Sequence, residues 1–287
     1  MTSGFTTFKI ALLSFGLATT GCAHHGLLDP DFPVTLRQAD TQLQRFRTHH
    51  PALKRPLVVV GGFLDPFVAE VVLLHHLGRH LTDDAPRCGV SFVAWDTFDS
   101  CRRKLIDKVQ RSWPSNDEHW TTQVDVLAFS MGGLVARHAA LPLGPGARGP
   151  ERRLKIHRLF TIATPHRGAN WAPLGALNPL AQSMKPGSAF LARLDAALPA
   201  ATYTLLPYVR RGDWIVGTDN AAPPGRDPWW VSARPLQFSH LQAVGDRRIL
   251  ADVLRRLAGQ PGWATAGPTV RGPDGQPQGV AASTPAD

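Results

Sequence analysis

The sequence predicts an α/β fold with a mostly parallel central sheet flanked by helices. Three observations predict it. Short β-branched runs alternate along the chain with longer segments of helical period. One run, VDVLAFS, passes directly into the helix-like MGGLVARHAAL through small residues. The ends of the chain differ in composition from the body between them, and no internal repeat is present. Strands alternating with helices pair side by side through right-handed crossovers, which gives a parallel sheet.

The body runs from about residue 53 to 258. LVVVGGF (57–63) reads as a strand closed by glycines, and PFVAEVVLLHHLGRHL (66–81) as a helix. VSFVAWDTF (90–98) reads as the next strand and SCRRKLIDKVQRSW (100–113) as the next helix. Strand 124–130 feeds helix 131–141, and IHRLFTIAT (156–164) and ATYTLLPYV (201–209) are further strands. ILADVLRRLAG (249–259) closes the body as a helix. Residues 22–52 read as a linker and approach segment. Residues 259–287 are rich in Gly, Pro and Thr, lack an apolar period, and read as a disordered tail.

Of the 287 residues 43% are hydrophobic, enough for a large core, and the length allows one or two domains. The formal charge is +9. It is spread over short groups such as Arg152–Arg153, Arg210–Arg211 and Arg247–Arg248, with no long basic run, which argues against a nucleic-acid partner. At the N-terminus Lys9 precedes the apolar run Ile10–Ala18, too short to span a bilayer but suited to the core of a signal peptide over residues 1–21. TTGC follows and resembles a bacterial lipobox, in which the cysteine, here Cys22, is lipidated and ties the protein to a membrane surface. Thr19 stands where a lipobox usually has Leu. An ordinary secretory signal with an incidental Cys22 is the other reading, and both export the chain. Cys88 and Cys101 flank the strand expected at 90–98, which sets them near its opposite ends and argues against a bridge.

The bend around Ser130 carries the chemistry. A strand that turns abruptly into a helix lifts one side chain above the C-terminal edge of the sheet, and small neighbours are needed two residues to either side. Here the stretch is Ala128-Phe129-Ser130-Met131-Gly132, with Ala in the first small position. The free N–H groups of the following helix favour negative charge beside the hydroxyl. A serine that merely caps that helix is the plain alternative. A serine nucleophile needs a base, and the base an orienting carboxylate. In hydrolases with this bend the acid and then the base follow the serine along the chain. Asp213 lies in the turn after the strand at 201–209, with Asp219 as the other candidate acid, and His240 is the only histidine beyond Asp213. The oxyanion donors expected are the backbone N–H groups of Met131 and of Phe63, in the loop after the first core strand. His76 and His80 are four apart on a helix, a metal spacing, but no third ligand accompanies them and no metal or other cofactor is implied.

Four blocks together resemble the lipase and esterase branch of the α/β-hydrolase superfamily, over about residues 55–258. VVVGGF resembles the strand and loop that carry the oxyanion donor, with Gly61 in place of the usual His. LAFSMGGLVAR resembles the lipase bend and its helix. FTIATPHRGANWA resembles the T-P-H-x-G block of triacylglycerol lipases, and SMKPGSAFLARLDAALP a segment that follows it. The resemblance implies an α/β-hydrolase fold with a cap insertion at about 169–200, an acyl-enzyme mechanism on Ser130, Asp213 and His240, and a lipid or acyl-ester substrate. His166 and Gly168 would sit near the site without supplying the base. An acyltransferase with the same three residues, or a non-catalytic surface lipoprotein of this fold, are the competing readings.

Overall fold

The computed structural model describes residues 27–63, 68–92, 97–142, 152–172, 178–234, 238–264, 270–271 and 277–278. The expected signal peptide, Cys22 and most of the expected tail lie outside them.

Six strands form one sheet: β1 (Leu57–Val60), β2 (Arg87–Val90), β3 (Val124–Phe129), β4 (Ile156–Ile162), β5 (Thr204–Arg210) and β6 (Trp229–Val231). Their order is β2-β1-β3-β4-β5-β6 and every neighbouring pair is parallel. The helices are α1 (Leu36–Thr48), α2 (Val68–Gly78), α3 (Phe98–Ser112), α4 (Met131–Ala140), α5 (Pro179–Ser183), α6 (Ala189–Ala197), α7 (Ser239–Gln242) and α8 (Arg247–Leu257). None of the described helices is long and apolar enough to cross a membrane.

A strand's side chains alternate between its two faces, so a sheet covered on both sides needs apolar residues at every position. β1 meets that need: Leu57 and Val59 join one core with α1, α2 and α8, while Val58 and Val60 join a second core with α3, α4, α5 and α6. After β1 the chain goes outward to β2, then returns to the other side of β1 as β3. Loops leaving β1 and β3 therefore diverge, and in an open parallel sheet the crevice at such a reversal is where ligands bind. Gly61, Gly62 and Ser130 lie at that reversal.

Two expectations need correction. The strand expected at 90–98 ends at Val90, and Phe98 already belongs to α3. Pairing with β1 runs from Arg87 to Val90. A reciprocal capping box then starts α3, the Thr97 hydroxyl accepting from the Ser100 N–H and the Ser100 hydroxyl from the Thr97 N–H. Cys88 thus sits inside β2 and Cys101 inside α3, and no disulfide joins the two.

The second correction concerns the approach segment. Residues 29–48 belong to the fold. Asp29 accepts the Trp230 N–H of β6 at 2.7 Å, and Phe32 lies edge-on to Tyr208 and stacked on Trp229. α1 opens with a capping box from Thr35 to Gln38 and buries Ala39, Gln42, Leu43 and Phe46 on one stripe. At the other end, Trp263 packs on the first core and its N–H donates to Asp252 at 2.6 Å, so the packed body extends past 258.

Candidate active site

The bend expected at Ser130 is present. β3 ends at Phe129, α4 begins at Met131, and Ser130 between them has φ 52° and ψ −127°. A positive φ at a non-glycine residue costs on the order of 1–3 kcal/mol and persists only where the surroundings enforce it. They do so here through the backbone: the Ser130 N–H donates to the Ile162 carbonyl at 2.8 Å, and the Ser130 carbonyl accepts the Thr164 hydroxyl at 2.8 Å and the Gly133 N–H at 3.2 Å. The bend also needs room. A Cβ on Gly132 would stand 2.5 Å from the Gly61 carbonyl oxygen and 2.8 Å from that of Val60. A Cβ on Gly62 would stand 3.2 Å from the Ser130 Cβ, so the loop after β1 runs against the serine.

The Ser130 side chain makes no capping bond to α4. Its Oγ lies 3.1 Å from His240 Nε2, and His240 Nδ1 lies 2.7 Å from Asp213 Oδ2. A carboxylate accepts only, so Nδ1 carries the proton and Nε2 is left to accept from the hydroxyl. Asp213 is almost fully buried, which is costly for a carboxylate unless it is well partnered. Its other oxygen accepts the N–H groups of Ile215 and Val216 at 3.1 and 3.0 Å. His240 rides on the short helix α7, held down by the Ser239 hydroxyl on the Arg211 carbonyl, and its ring packs over Phe129 at 4.9 Å. The alternative acid, Asp219, is exposed on a separate 3-10 turn, Thr218–Ala221. Met131 is the first residue of α4, and Phe63 follows Gly62 in the loop against Ser130.

The resemblance puts His166 near the site, but sequence reasoning did not find the buried polar group that it forms behind the bend. His166 is fully buried, its Nδ1 3.0 Å from Arg137 Nη1 and its Nε2 3.1 Å from the Thr161 hydroxyl. Arg137 only donates, so Nδ1 accepts and the proton sits on Nε2. Burial, then the positive charges of Arg137, Arg167 and Arg226, hold the His166 pKa well below the usual histidine value, and the ring stays neutral. Arg137 also pairs with Asp195 of α6 at 2.9 Å, which ties the 169–200 insertion to the helix that follows Ser130. Of that insertion, Leu180, Met184, Leu191 and Leu194 are buried in the second core, whereas Trp171 is exposed; residues 173–177 lie outside the described ones.

The spacing of His76 and His80 forms no metal pair. The His80 Nδ1–H donates to the His76 carbonyl at 2.7 Å and its Nε2 faces Arg47. Among the described residues no group of three His, Cys, Asp or Glu side chains is arranged to hold a metal ion.

No protein-family model matches this chain, and neither does any curated protein. Among solved structures, the propeptide form of the Bacillus licheniformis lipase BlEst2 aligns with a TM-score of 0.50 and 15% identity, covering 73% of this chain and 51% of that one. The chain has the α/β-hydrolase fold. The mature form of the same lipase aligns at 0.47 and 15% identity, covering 73% and 94%. The phospholipase PlaB from Legionella pneumophila aligns at 0.44 and 12% identity, covering 58% of this chain. The aligned part is 45% of the phospholipase, less than half its length. What is shared at these identities is the fold.

Proposed function

We propose that this protein is a serine hydrolase that cleaves carboxylic esters of lipid-like or medium-chain acyl groups through an acyl-enzyme. The observation that carries the reading is the line from Asp213 through His240 to Ser130, with bonds of 2.7 and 3.1 Å on a strained strand-to-helix bend. Ser130 Oγ attacks the acyl carbon while its proton passes to His240 Nε2. The Phe63 and Met131 N–H groups receive the oxyanion, each contributing about 3 kcal/mol if they act as such donors do elsewhere. The tetrahedral adduct collapses, and the leaving alcohol takes the proton from Nε2. Water then attacks the acyl-enzyme, gives a proton to Nε2, and the acid leaves as Ser130 regains its proton. Asp213 holds the ring in the tautomer this requires and stabilises the imidazolium.

The acyl preference rests on the surroundings. Trp214 follows Asp213, and Phe238 and Leu241 flank His240; with Trp171 they are 44–62% exposed. Trp171 meets Trp214 edge-on at 4.8 Å, and Trp214 lies 5.9 Å from Phe238. The exposed cluster of Trp171, Trp214 and Phe238, of which the last two lie close in sequence to Asp213 and His240, suits a hydrocarbon chain better than a charged substrate. The lipase name of the fold neighbour at TM-score 0.50 accords with this.

The test is hydrolysis of p-nitrophenyl acetate, octanoate and hexadecanoate. Octanoate should be cleaved faster than acetate, and Ser130→Ala should lose at least about 10⁴-fold in kcat. Turnover that survives Ser130→Ala sinks the mechanism; acetate cleaved fastest sinks the acyl preference. Methanol or glycerol added as acceptor separates hydrolysis from acyl transfer. We also propose that residues 1–21 are removed and that a lipid on Cys22 ties the chain to a membrane, a reading supported by the TTGC stretch that follows the apolar run Ile10–Ala18. Cys22→Ser should move the exported protein from the membrane to the soluble fraction, read by fractionation; a wild-type protein already soluble contradicts the anchor.

A further inference from the structure

Two non-glycine residues have positive φ among the described ones, and they are neighbours. Ser130 and Ala163 each follow the last paired residues of β3 and β4, Phe129 and Ile162, and each has φ 52°. Ala163 is fully buried, and its N–H donates to the Tyr208 carbonyl at 2.9 Å. Strain at a buried alanine beside a strained serine marks a place where the backbone is held against its preference.

The turn at Ala163 sets Thr164 against the bend. Thr164 is fully buried, and its hydroxyl donates to the Ser130 carbonyl at 2.8 Å. The Thr164 carbonyl accepts the His166 N–H at 2.8 Å, and Pro165 keeps the Thr164 backbone out of helical conformation. Helix α4 makes room for the side chain: a Cβ on Gly133 would overlap the Thr164 hydroxyl and stand 2.7 Å from its methyl. The other donor to the Ser130 carbonyl, the Gly133 N–H, is more distant at 3.2 Å.

The carbonyl that receives the Thr164 hydroxyl belongs to the Ser130–Met131 peptide, and the N–H of that same peptide is the Met131 oxyanion donor. The two ends of an amide are coupled through its resonance. A hydrogen bond accepted at oxygen draws electron density from nitrogen, so the N–H becomes a stronger donor, and hydrogen bonds in such a chain reinforce one another. We infer that Thr164 is a positioning residue for the oxyanion donor: its hydroxyl fixes and polarises the Ser130–Met131 peptide. The inference rests on the ester-hydrolase reading, since it takes the Met131 N–H to meet the oxyanion. Removing a whole oxyanion donor costs about 10²–10³-fold in kcat, so weakening one costs less, about ten-fold.

The test compares Thr164→Ser, which keeps the hydroxyl, with Thr164→Ala, which differs from it by that oxygen alone. On p-nitrophenyl octanoate, Thr164→Ala should lose about ten-fold in kcat relative to Thr164→Ser, with KM unchanged within about two-fold. Thr164→Ser should stay within about three-fold of wild type. An octyl trifluoromethyl ketone, which adds to Ser130 and presents the same oxyanion, should bind Thr164→Ala more weakly by the same factor as the loss in kcat. The pH dependence of kcat/KM should be the same in all three proteins. If Thr164→Ala fails to fold by circular dichroism, Thr164→Val, which lacks the hydroxyl at nearly the original volume, should show the same loss. Equal kcat in the variants with and without the hydroxyl overturns the inference. So does a loss carried by KM, or one that comes with a shifted pH profile, because either marks a displaced site and not a weakened donor. Wild type that cleaves no ester and binds no ketone refutes the proposed function, and the role of Thr164 with it. Wild type that is active, a dead Ser130→Ala, and no difference between the Thr164 variants refute the role of Thr164 alone.

Discussion

His240 and His166 occupy frames that differ in one group. Each ring has a hydroxyl on Nε2: Ser130 at 3.1 Å from His240, Thr161 at 3.1 Å from His166. Each has a charged side chain on Nδ1, and there they part. Behind His240 stands the Asp213 carboxylate at 2.7 Å; behind His166 stands the Arg137 guanidinium at 3.0 Å. A carboxylate fixes the proton on Nδ1 and stabilises the ring when it becomes a cation. A guanidinium fixes the proton on Nε2 and opposes the cation. The first arrangement lets the ring take a proton from a hydroxyl, and the second makes it a permanent donor to one. His138 falls between them, with Arg193 on Nδ1, Asp99 on Nε2 and a pKa lowered chiefly by burial. Residue type alone therefore assigns no role to a histidine near such a bend; the group on the far side of the ring does.

The comparison can be broken most severely at that far group. Asp213→Asn turns the acceptor behind His240 into an amide that can donate, and the ring loses its reason to keep the proton on Nδ1. The loss in kcat should be about 10³–10⁴-fold with the fold retained. Asp219→Asn, at an exposed residue, should stay within about two-fold. Ester hydrolysis by the two variants decides it, and the reverse pattern would move the acid to Asp219.

A smaller effect is expected where the hydroxyl of the first frame is held. Gly132→Ala forces a methyl to within 2.5 Å of the Gly61 carbonyl oxygen, where only backbone can give way. The bend should shift, lowering stability by about 1–3 kcal/mol in urea unfolding and activity with it. If the variant is as stable and active as wild type, the packing of the bend against β1 is not what holds Ser130.

The second frame is sharpened by pH. The folded-state pKa of His166 is depressed, so its neutral ring contributes stability that is fully present above the unfolded value, about 6.5. That contribution is lost as pH falls below about 6.5, because the unfolded chain takes up a proton that the folded one refuses. The slope is at most about 1.4 kcal/mol per pH unit for one such group. Urea midpoints of wild type and His166→Gln near pH 7.5 and pH 5 should show the shallower pH dependence in the variant. Parallel curves would mean that His166 titrates alike in both states.

Much of this was legible in the sequence because it depends on local pattern. Ser130 at the strand–helix junction, and Asp213 and His240 following in order, lie together in the structure. The strand runs near 57, 124, 156 and 204 were read from their β-branched, doubly buried composition. The strand placed at 90–98 was misread because VSFVAWDTF is apolar enough for a strand, yet the pairing that defines β2 lies just before it. α1 carries a readable signal, Thr35-x-x-Gln38 followed by an apolar stripe, which the linker reading of 22–52 passed over. β6 is three residues long and has no period to find. The Arg137–His166–Thr161 group was not readable at all, since its members belong to a helix and to the strand and loop that cross behind it, and only the fold brings a guanidinium to the imidazole.

The most direct test of the central claim is where a fluorophosphonate probe attaches and which histidine controls the rate. Wild-type protein treated with the probe and mapped by peptide mass spectrometry should carry one adduct, on Ser130. Labelling should vanish in Ser130→Ala, fall by at least about 10³-fold in His240→Ala, and stay within about ten-fold of wild type in His166→Gln. An adduct on another serine, or labelling that depends on His166 and is indifferent to His240, would contradict the account.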